Sequence, residues 1–465
     1  MMKEKLFLYY TSDLHSHFEN WPQIIGYFNQ QKKKHERKGE DYWLLDNGDH
    51  VDRFHPIAEG LMGKGNVELM NQAGYHIANL GNNEGITLSE ENLHQLYNQA
   101  EFDVACANLT YMNGSQPEWL RPYQIMTSKQ GTKIGIIGLT APFKTFYKQL
   151  GWDVQSPLDV MDEVLPEVRE QADIVVLLSH LGINDDEEIA RKYRGIDVII
   201  GGHTHHLFQN GEFVEGTLLT AAGKHGTHLG EVILEWDDHQ AKVTNKQAYA
   251  ISTENMKKDE QANLDVQRKR EEAVRYLRTP VTSLKETMNI AWFKESRLMQ
   301  LLTDELRDWT SSDIAMLNAG VLLDHLFEGE ITYEDVHRIC PHPMNPCKVE
   351  LKGDEVMEVI RVAHTKKLTE IRLKGFGFRG EIIGKMIFSG IEIVGKQGED
   401  GTYYVREARI DGEPIDFDRV YTFATADTFT FGRLIPEVAY AKKKTYYMPE
   451  LLRDLLAEAL QNRIY

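Results

Sequence analysis

Apolar residues in this chain come in short runs bounded by turn signals, with amphipathic stretches between them. Lys5–Thr11 (KLFLYYT), Tyr42–Leu45, His76–Leu80, Asp103–Ala107, Lys133–Leu139, Asp173–Ser179 (DIVVLLS) and Ile196–Ile200 each read as a buried strand. Trp21–Lys38 shows helical spacing with a basic end and a closing Gly39, and Gly65–Ala73 and Asp186–Tyr193 read as further helices. Leu218–Ala222 and Gly230–Trp236 look like late strands that close this region. Strands alternating with helices predict an α/β layered fold, whose sites gather at the carboxyl ends of the strands.

The pattern changes at Ser252. From there to Arg278 Lys, Glu, Gln and Asp dominate, and Pro280 ends the stretch. It reads as a solvated helix joining two domains. The expected organisation is a first domain over 1–252, a charged linker helix over 253–280 and a mixed second domain over 281–465. Pro449–Gln461 carries Leu451, Leu452, Leu455, Leu456 and Leu460 at helical spacing, which predicts a packing face.

Composition narrows the function classes. The 465 residues can bury two sizeable cores. A formal net charge of −19 argues against a nucleic-acid binder, which needs a basic face. Met1–Tyr10 has no signal-peptide pattern, and no apolar run is long enough to cross a bilayer. The three cysteines, Cys106, Cys340 and Cys347, set up no disulfide framework. Together these predict a cytoplasmic protein with reduced thiols and no membrane or nucleic-acid partner.

The chemistry lies just past the strand ends. The first strand runs into Asp13 and His15, the second into Asp49, the third into Asn82, Asp173–Ser179 into His180, and Ile196–Ile200 into Gly201-Gly202-His203-Thr204-His205. Carboxylate, amide oxygen and imidazole without cysteine suit manganese, zinc, iron or cobalt. The set is too large for one tetrahedral ion, so two divalent ions with Asp49 as the shared carboxylate are expected. Such a pair, ~3.5–4 Å apart, lowers the pKa of a water between them and clamps an in-line displacement at phosphorus.

Asp13-x-His15, Gly48-Asp49, Gly81-Asn82, His180 and Gly202-His203-Thr204-His205 resemble the signature of the calcineurin-like metallophosphoesterases. Leu317-Asn318-Ala319-Gly320, Ile331–Val336 with Pro341 and Asn345, and Tyr421–Thr425 are similar to segments of the 5′-nucleotidase/2′,3′-cyclic phosphodiesterase family. The resemblance implies a four-layer metal domain, a β-sandwich flanked by helices, and a smaller α/β substrate-binding domain. It gives Asp13, His15, Asp49 and His205 to one ion, and Asp49, Asn82, His180 and His203 to the other.

The chain departs from that family where Gly-Asn-His-Glu-x-Asp is usual, reading Gly81-Asn82-Asn83-Glu84-Gly85-Ile86. Asn83 can donate a hydrogen bond to a phosphoryl oxygen but carries no proton to transfer, and Ile86 orients nothing. His17, His50, His76 and His225 are the candidate substitutes. In the second domain Lys385 falls near the first expected base-stacking ring, and Phe429-Thr430-Phe431-Gly432-Arg433 replaces the loop bearing the second. Asn318, Phe376, Phe378, Arg379, Phe429 and Phe431 are the candidate substrate contacts. The expected function is two-metal hydrolysis of a small phosphate ester, nucleotide or nucleotide-like. The rival is a metal-binding relative that lost catalysis and acts as a sensor or interaction protein.

Overall fold

The computed structural model describes residues 4–463 apart from 374, 376, 399–402 and 433, so Phe376 and Arg433 lie outside the described residues. The chain divides into two compact units, Met1–Ala273 and Val274–Tyr465.

In the first unit two sheets share one core. The seven-stranded sheet has the order Lys242–Ser252, His228–Asp237, Glu4–Thr11, Asp41–Asp46, Ile77–Asn79, Asp103–Ala105, Leu120–Arg121. The six-stranded sheet has the order Glu212–Val214, Thr217–Thr220, Val198–Gly201, Ile174–His180, Lys133–Thr140, Tyr123–Thr127. Alternation sorts their side chains. Leu6, Leu8, Tyr10 and Leu45 of one sheet meet Ile134, Ile136, Val176, Leu178 and Ile200 of the other. The intervening residues of the second sheet, Ile137, Leu139, Val175, Leu177 and Ile199, pack instead with helices Pro157–Gln171 and Ile183–Lys192. Helix Trp21–Lys38 buries Ile24 and Phe28, with Phe28 against Tyr9 of the first sheet. The result is the four-layer sandwich expected of the family.

The inner strands of both sheets pair in parallel, Glu4–Thr11 with Asp41–Asp46 and Lys133–Thr140 with Ile174–His180. Their carboxyl ends therefore open to the same side, and buried amides hold them in line there. Asn47 Nδ2 donates to the carbonyls of Ser179 and Ile200, both at 2.9 Å. Asn79 Nδ2 donates to Leu139 at 2.9 Å and to Leu178 at 3.0 Å. Each spans from one sheet to the other and ties two carbonyls of the second sheet to a loop or strand end of the first.

The helix expected at Asp186–Tyr193 runs over Ile183–Lys192, one turn earlier, because Gly182 ends the preceding strand loop at φ 104° and lets the helix start at once. The charged stretch folds as helix Glu260–Leu277.

The second unit is built on a five-stranded sheet, Met386–Ser389, Ile314–Asn318, Val420–Ala426, Pro346–Lys352, Lys444–Tyr446. Helix Leu452–Arg463 buries Leu452, Leu455, Leu456 and Leu460, and Leu451 is buried just before it. Thr332 and Asp335 form a capping box at the start of helix Tyr333–Ile339. After Asn318 the chain turns through Ala319–Val321, where a Cβ on Gly320 would sit 1.8 Å from the Ile382 carbonyl oxygen. The three cysteines are free and buried. Among the described residues no helix is long and apolar enough to cross a membrane.

Candidate metal centre

Backbone pairing brings the loops after the first two strands together before any side chain is considered. Asp13 N–H donates to Gly48 O at 3.0 Å, His15 N–H to Asp49 O at 2.8 Å and Ser16 N–H to His50 O at 2.9 Å. The third loop closes on the second. Glu84 Oε2 accepts from the N–H groups of Asp49 (3.0 Å) and Gly81 (3.1 Å), and its Oε1 from Val51 (2.8 Å). A Cβ on Gly81 would lie 2.1 Å from the Asp49 nitrogen, so only glycine allows this approach.

The side chains then converge. Asp13 Oδ1 lies 3.5 Å from His205 Nε2, 3.9 Å from His180 Nε2 and 4.0 Å from His15 Nε2. Asp49 Oδ2 lies 3.3 Å from His180 Nε2 and 3.7 Å from His15 Nε2. Two groups have the spacing of a metal site, Asp13 with His15 and His205, and Asp13 with Asp49 and His180. Asp13 belongs to both, and Asp49 Oδ2 also reaches histidines of both. Asn82 Oδ1 faces His203 Nδ1 at 2.7 Å, and His15 Nε2 faces His205 Nε2 at 3.2 Å. The sequence-predicted ligands are thus all drawn into one cluster.

The test of fit to a metal lies in His180. Its Nδ1 donates to the Asn47 carbonyl at 2.8 Å, which fixes the ring with Nε2 turned toward the carboxylates. That Nε2 is buried, takes no hydrogen bond from any described residue and points at Asp13 and Asp49. A buried ring nitrogen with no hydrogen-bond partner, aimed between two carboxylates, is a position where a divalent cation would take the place of a proton. The donor set fits a metal.

Electrostatics agree. Burial alone would lower the His180 pKa, but Asp49 and Asp13 override it and raise it to about 10 in the metal-free protein. Burial raises Asp13. Burial would also raise Asp49, but the charge on His180 and His15 holds it below the usual carboxylate range. His203 is lowered to about 4 by burial and by His180, and His205 to about 3 by burial and by His15. Both therefore offer lone pairs at neutral pH without first losing a proton. Glu84 is pushed to about 7 by burial and by Asp49.

The ligand loops are also strained. Asp13 (φ 52°), His15 (51°), Asp49 (50°), His203 (66°) and His205 (58°) all occupy the left-handed region, where non-glycine residues are uncommon.

The remaining candidates divide. Asn83 donates its backbone N–H to Asp49 Oδ1 at 2.7 Å, and its Nδ2 lies 2.9 Å from His15 Nδ1. Among the candidate substitutes, His76 precedes the third strand, at the opposite end from the ligands, and its Nδ1 accepts from Leu44 N at 3.0 Å. His50 is buried between Trp21, Phe18 and Asn66. His17 and His225 stack on each other at 3.7 Å, with His225 edge-on to His15 at 5.8 Å. In the second unit Phe429 is fully buried, and Phe378 (2% exposed) stacks on His342. Both are buried side chains in this structure. Asn318 is buried as well, with Nδ2 donating to Ile383 O at 3.0 Å. Arg379 and Phe431 are half-buried. Asn47, Asp52, Glu84 and Asn79 escaped the sequence reading, because their partners lie in other loops and no local pattern marks them.

Comparison with known proteins adds the family. A calcineurin-like phosphoesterase model matches residues 8–207, and a 5′-nucleotidase C-terminal domain model matches 278–433. A metallophosphoesterase of Bacillus subtilis, YunD, is 44% identical over 460 residues, which is 98% of this chain and 99% of that protein. The chain belongs to the calcineurin-like metallophosphoesterases. It is a phosphoesterase of the branch that carries a 5′-nucleotidase C-terminal domain, hydrolyses phosphate esters and uses divalent metal ions. The 5′-nucleotidase of Vibrio cholerae is 24% identical over 86% of the chain and 83% of its own length. The fold also matches a putative 5′-nucleotidase from Staphylococcus aureus, solved in complex with α-ketoglutarate. That match has a TM-score of 0.69 and 19% identity, over 99% of this chain and 97% of that one.

Proposed function

We propose that this metallophosphoesterase hydrolyses a small nucleotide or nucleotide-like phosphate ester at a two-metal centre. Asp13, His15, Asp49 and His205 hold one divalent ion. Asp49, Asn82, His180 and His203 would hold the other, with Asp49 available to both. Manganese, zinc, iron and cobalt all suit this oxygen and imidazole set. When bound, the ions supply Lewis acidity toward the phosphoryl oxygens.

The residues of the chain do the positioning. The Asn47 carbonyl fixes the His180 tautomer. The Asn83 N–H holds one oxygen of Asp49 and leaves the other turned to the histidines. For Asp13 the His203 N–H donates at 3.0 Å to Oδ1, the oxygen that faces the histidines, and the Ser12 hydroxyl holds Oδ2. Asn83 stands at the edge of the centre as a donor to the phosphoryl group. Residues 281–465 form the substrate-binding domain, with Arg379 and Phe431 as its contacts, joined through the charged helix to the metal domain of residues 1–252. The observation that carries this reading is the buried, unpartnered His180 Nε2 between two carboxylates.

The test is a panel of nucleoside monophosphates, cyclic nucleotides and bis(p-nitrophenyl) phosphate, run with each of the four metals. Metal-dependent turnover of one nucleotide class is expected. Protein with full metal occupancy that turns over none of them would overturn the reading.

A further inference from the structure

We propose that Asp52 is a positioning residue for His15, holding the proton on Nδ1 so that the Nε2 lone pair is turned to the metals. The proposal rests on the metal-centre reading above.

Its basis is the environment of the His15 ring. Nε2 faces Asp13, Asp49 and His205, and Nδ1 faces the other way, 3.4 Å from Asp52 Oδ2. Asp52 is 2% exposed and belongs to neither metal-spaced group. Its own loop fixes its orientation. Oδ1 accepts from the Phe54 N–H at 2.9 Å, and the Asp52 N–H donates to Ser16 Oγ at 2.9 Å. Oδ1 holds the turn, and Oδ2 faces the imidazole.

An imidazole that ligates through Nε2 must carry its hydrogen on Nδ1, and that hydrogen needs an acceptor. For His180 the acceptor is a main-chain carbonyl. For His15 it is a carboxylate, which polarises the ring more strongly and makes Nε2 the better donor to a cation. The Asn83 amide nitrogen packs against the same ring nitrogen at 2.9 Å, and its oxygen accepts from Asn82 Nδ2 at 3.3 Å. His15 is thereby clamped on the side away from the centre.

Asp52→Asn separates this role from bulk and folding. The isostere keeps the oxygen that accepts from Phe54 and replaces the facing oxygen with an N–H donor. That donor favours hydrogen on Nε2, the tautomer that cannot ligate. Calorimetric titration of Mn(II) into the full-length protein is expected to show binding weaker by about 10–100-fold. The melting temperature of the metal-free protein should not move. A second signature needs no metal, namely the imidazole ¹⁵N spectrum at alkaline pH. There His15 reports Nδ1–H in the wild type and Nε2–H in the variant. Asp52→Ser, too short to reach the ring, gives the same loss of affinity should Asp52→Asn fold poorly. Wild-type protein that binds Mn(II) while both variants bind within twofold of it overturns the proposal. Wild-type protein that binds no metal overturns the metal-centre reading and this one with it.

Discussion

His180 Nε2 stands 3.3 Å from Asp49 Oδ2, and neither side chain has more than 3% of its surface exposed. The pair is the inner corner of the cluster. Truncating either member takes from the other its nearest buried counter-charge in the metal-free protein.

Asp49→Ala is accordingly expected to lose bound metal and to lower activity by more than about 100-fold, since loss of an outer partner alone costs 10–100-fold. Elemental analysis of the purified variant alongside its turnover is the check. Full metal content with normal turnover would remove Asp49 from the centre.

Gly81→Ala tests the close approach of the loops. The added methyl meets the Asp49 nitrogen at 2.1 Å and Asp49 Oδ1 at 2.2 Å, so Asp49 must move while the sandwich core is untouched. A displacement of this kind costs on the order of 10²-fold in rate. Circular dichroism should be unchanged, and kcat/KM should fall.

The buried pair Arg53 and Glu59 makes two contacts, Nε to Oε2 at 2.8 Å and Nη2 to Oε1 at 3.0 Å, with Arg53 Nη1 on the Thr87 carbonyl at 3.0 Å. Arg53→Ala should destabilise the first unit by about 3–5 kcal/mol in urea unfolding, because Glu59 stays buried and charged. Replacing both by apolar residues of similar size should recover most of that loss. A double variant no better than the single would contradict the argument.

Asp427 supplies a pH dependence far from the metal ligands in sequence. It is buried, its Oδ1 has no hydrogen-bond partner among the described residues, and burial raises its pKa to about 7. The folded chain therefore holds this proton where the unfolded chain has released it. The contribution is fully present below about pH 4 and is lost as pH rises through about 7. Asp427→Asn cannot ionise, so its melting temperature should fall less than that of the wild type between pH 5 and pH 8. Parallel melting curves for the two proteins would exclude the effect.

The chain pattern carried the layered α/β fold and placed the candidate ligands at strand ends because both rest on local signals, whereas the sandwich followed from the family resemblance. Buried parallel strands are continuous apolar runs such as DIVVLLS, and ligands at strand ends follow them at once. What stayed hidden is long-range. Asn47 and Asn79 look like ordinary loop asparagines until the second sheet brings carbonyls to them. Asp52 acquires meaning only when His15, from another loop, turns Nδ1 toward it. The burial of Phe378 and Phe429 was hidden for the same reason. An aromatic residue in a loop-like segment gives no sign of which way it points, and here the interior took both.

Left-handed backbone at Asp13, His15, Asp49, His203 and His205 sets function against folding at the same positions. At each of these places the main chain by itself would choose glycine, and the donor atom forbids it. A change to glycine at one of these positions relaxes the local backbone while it removes a donor atom. The centre survives only where selection acts on the reaction, and a lineage released from that demand would be expected to decay here first while its sandwich persisted.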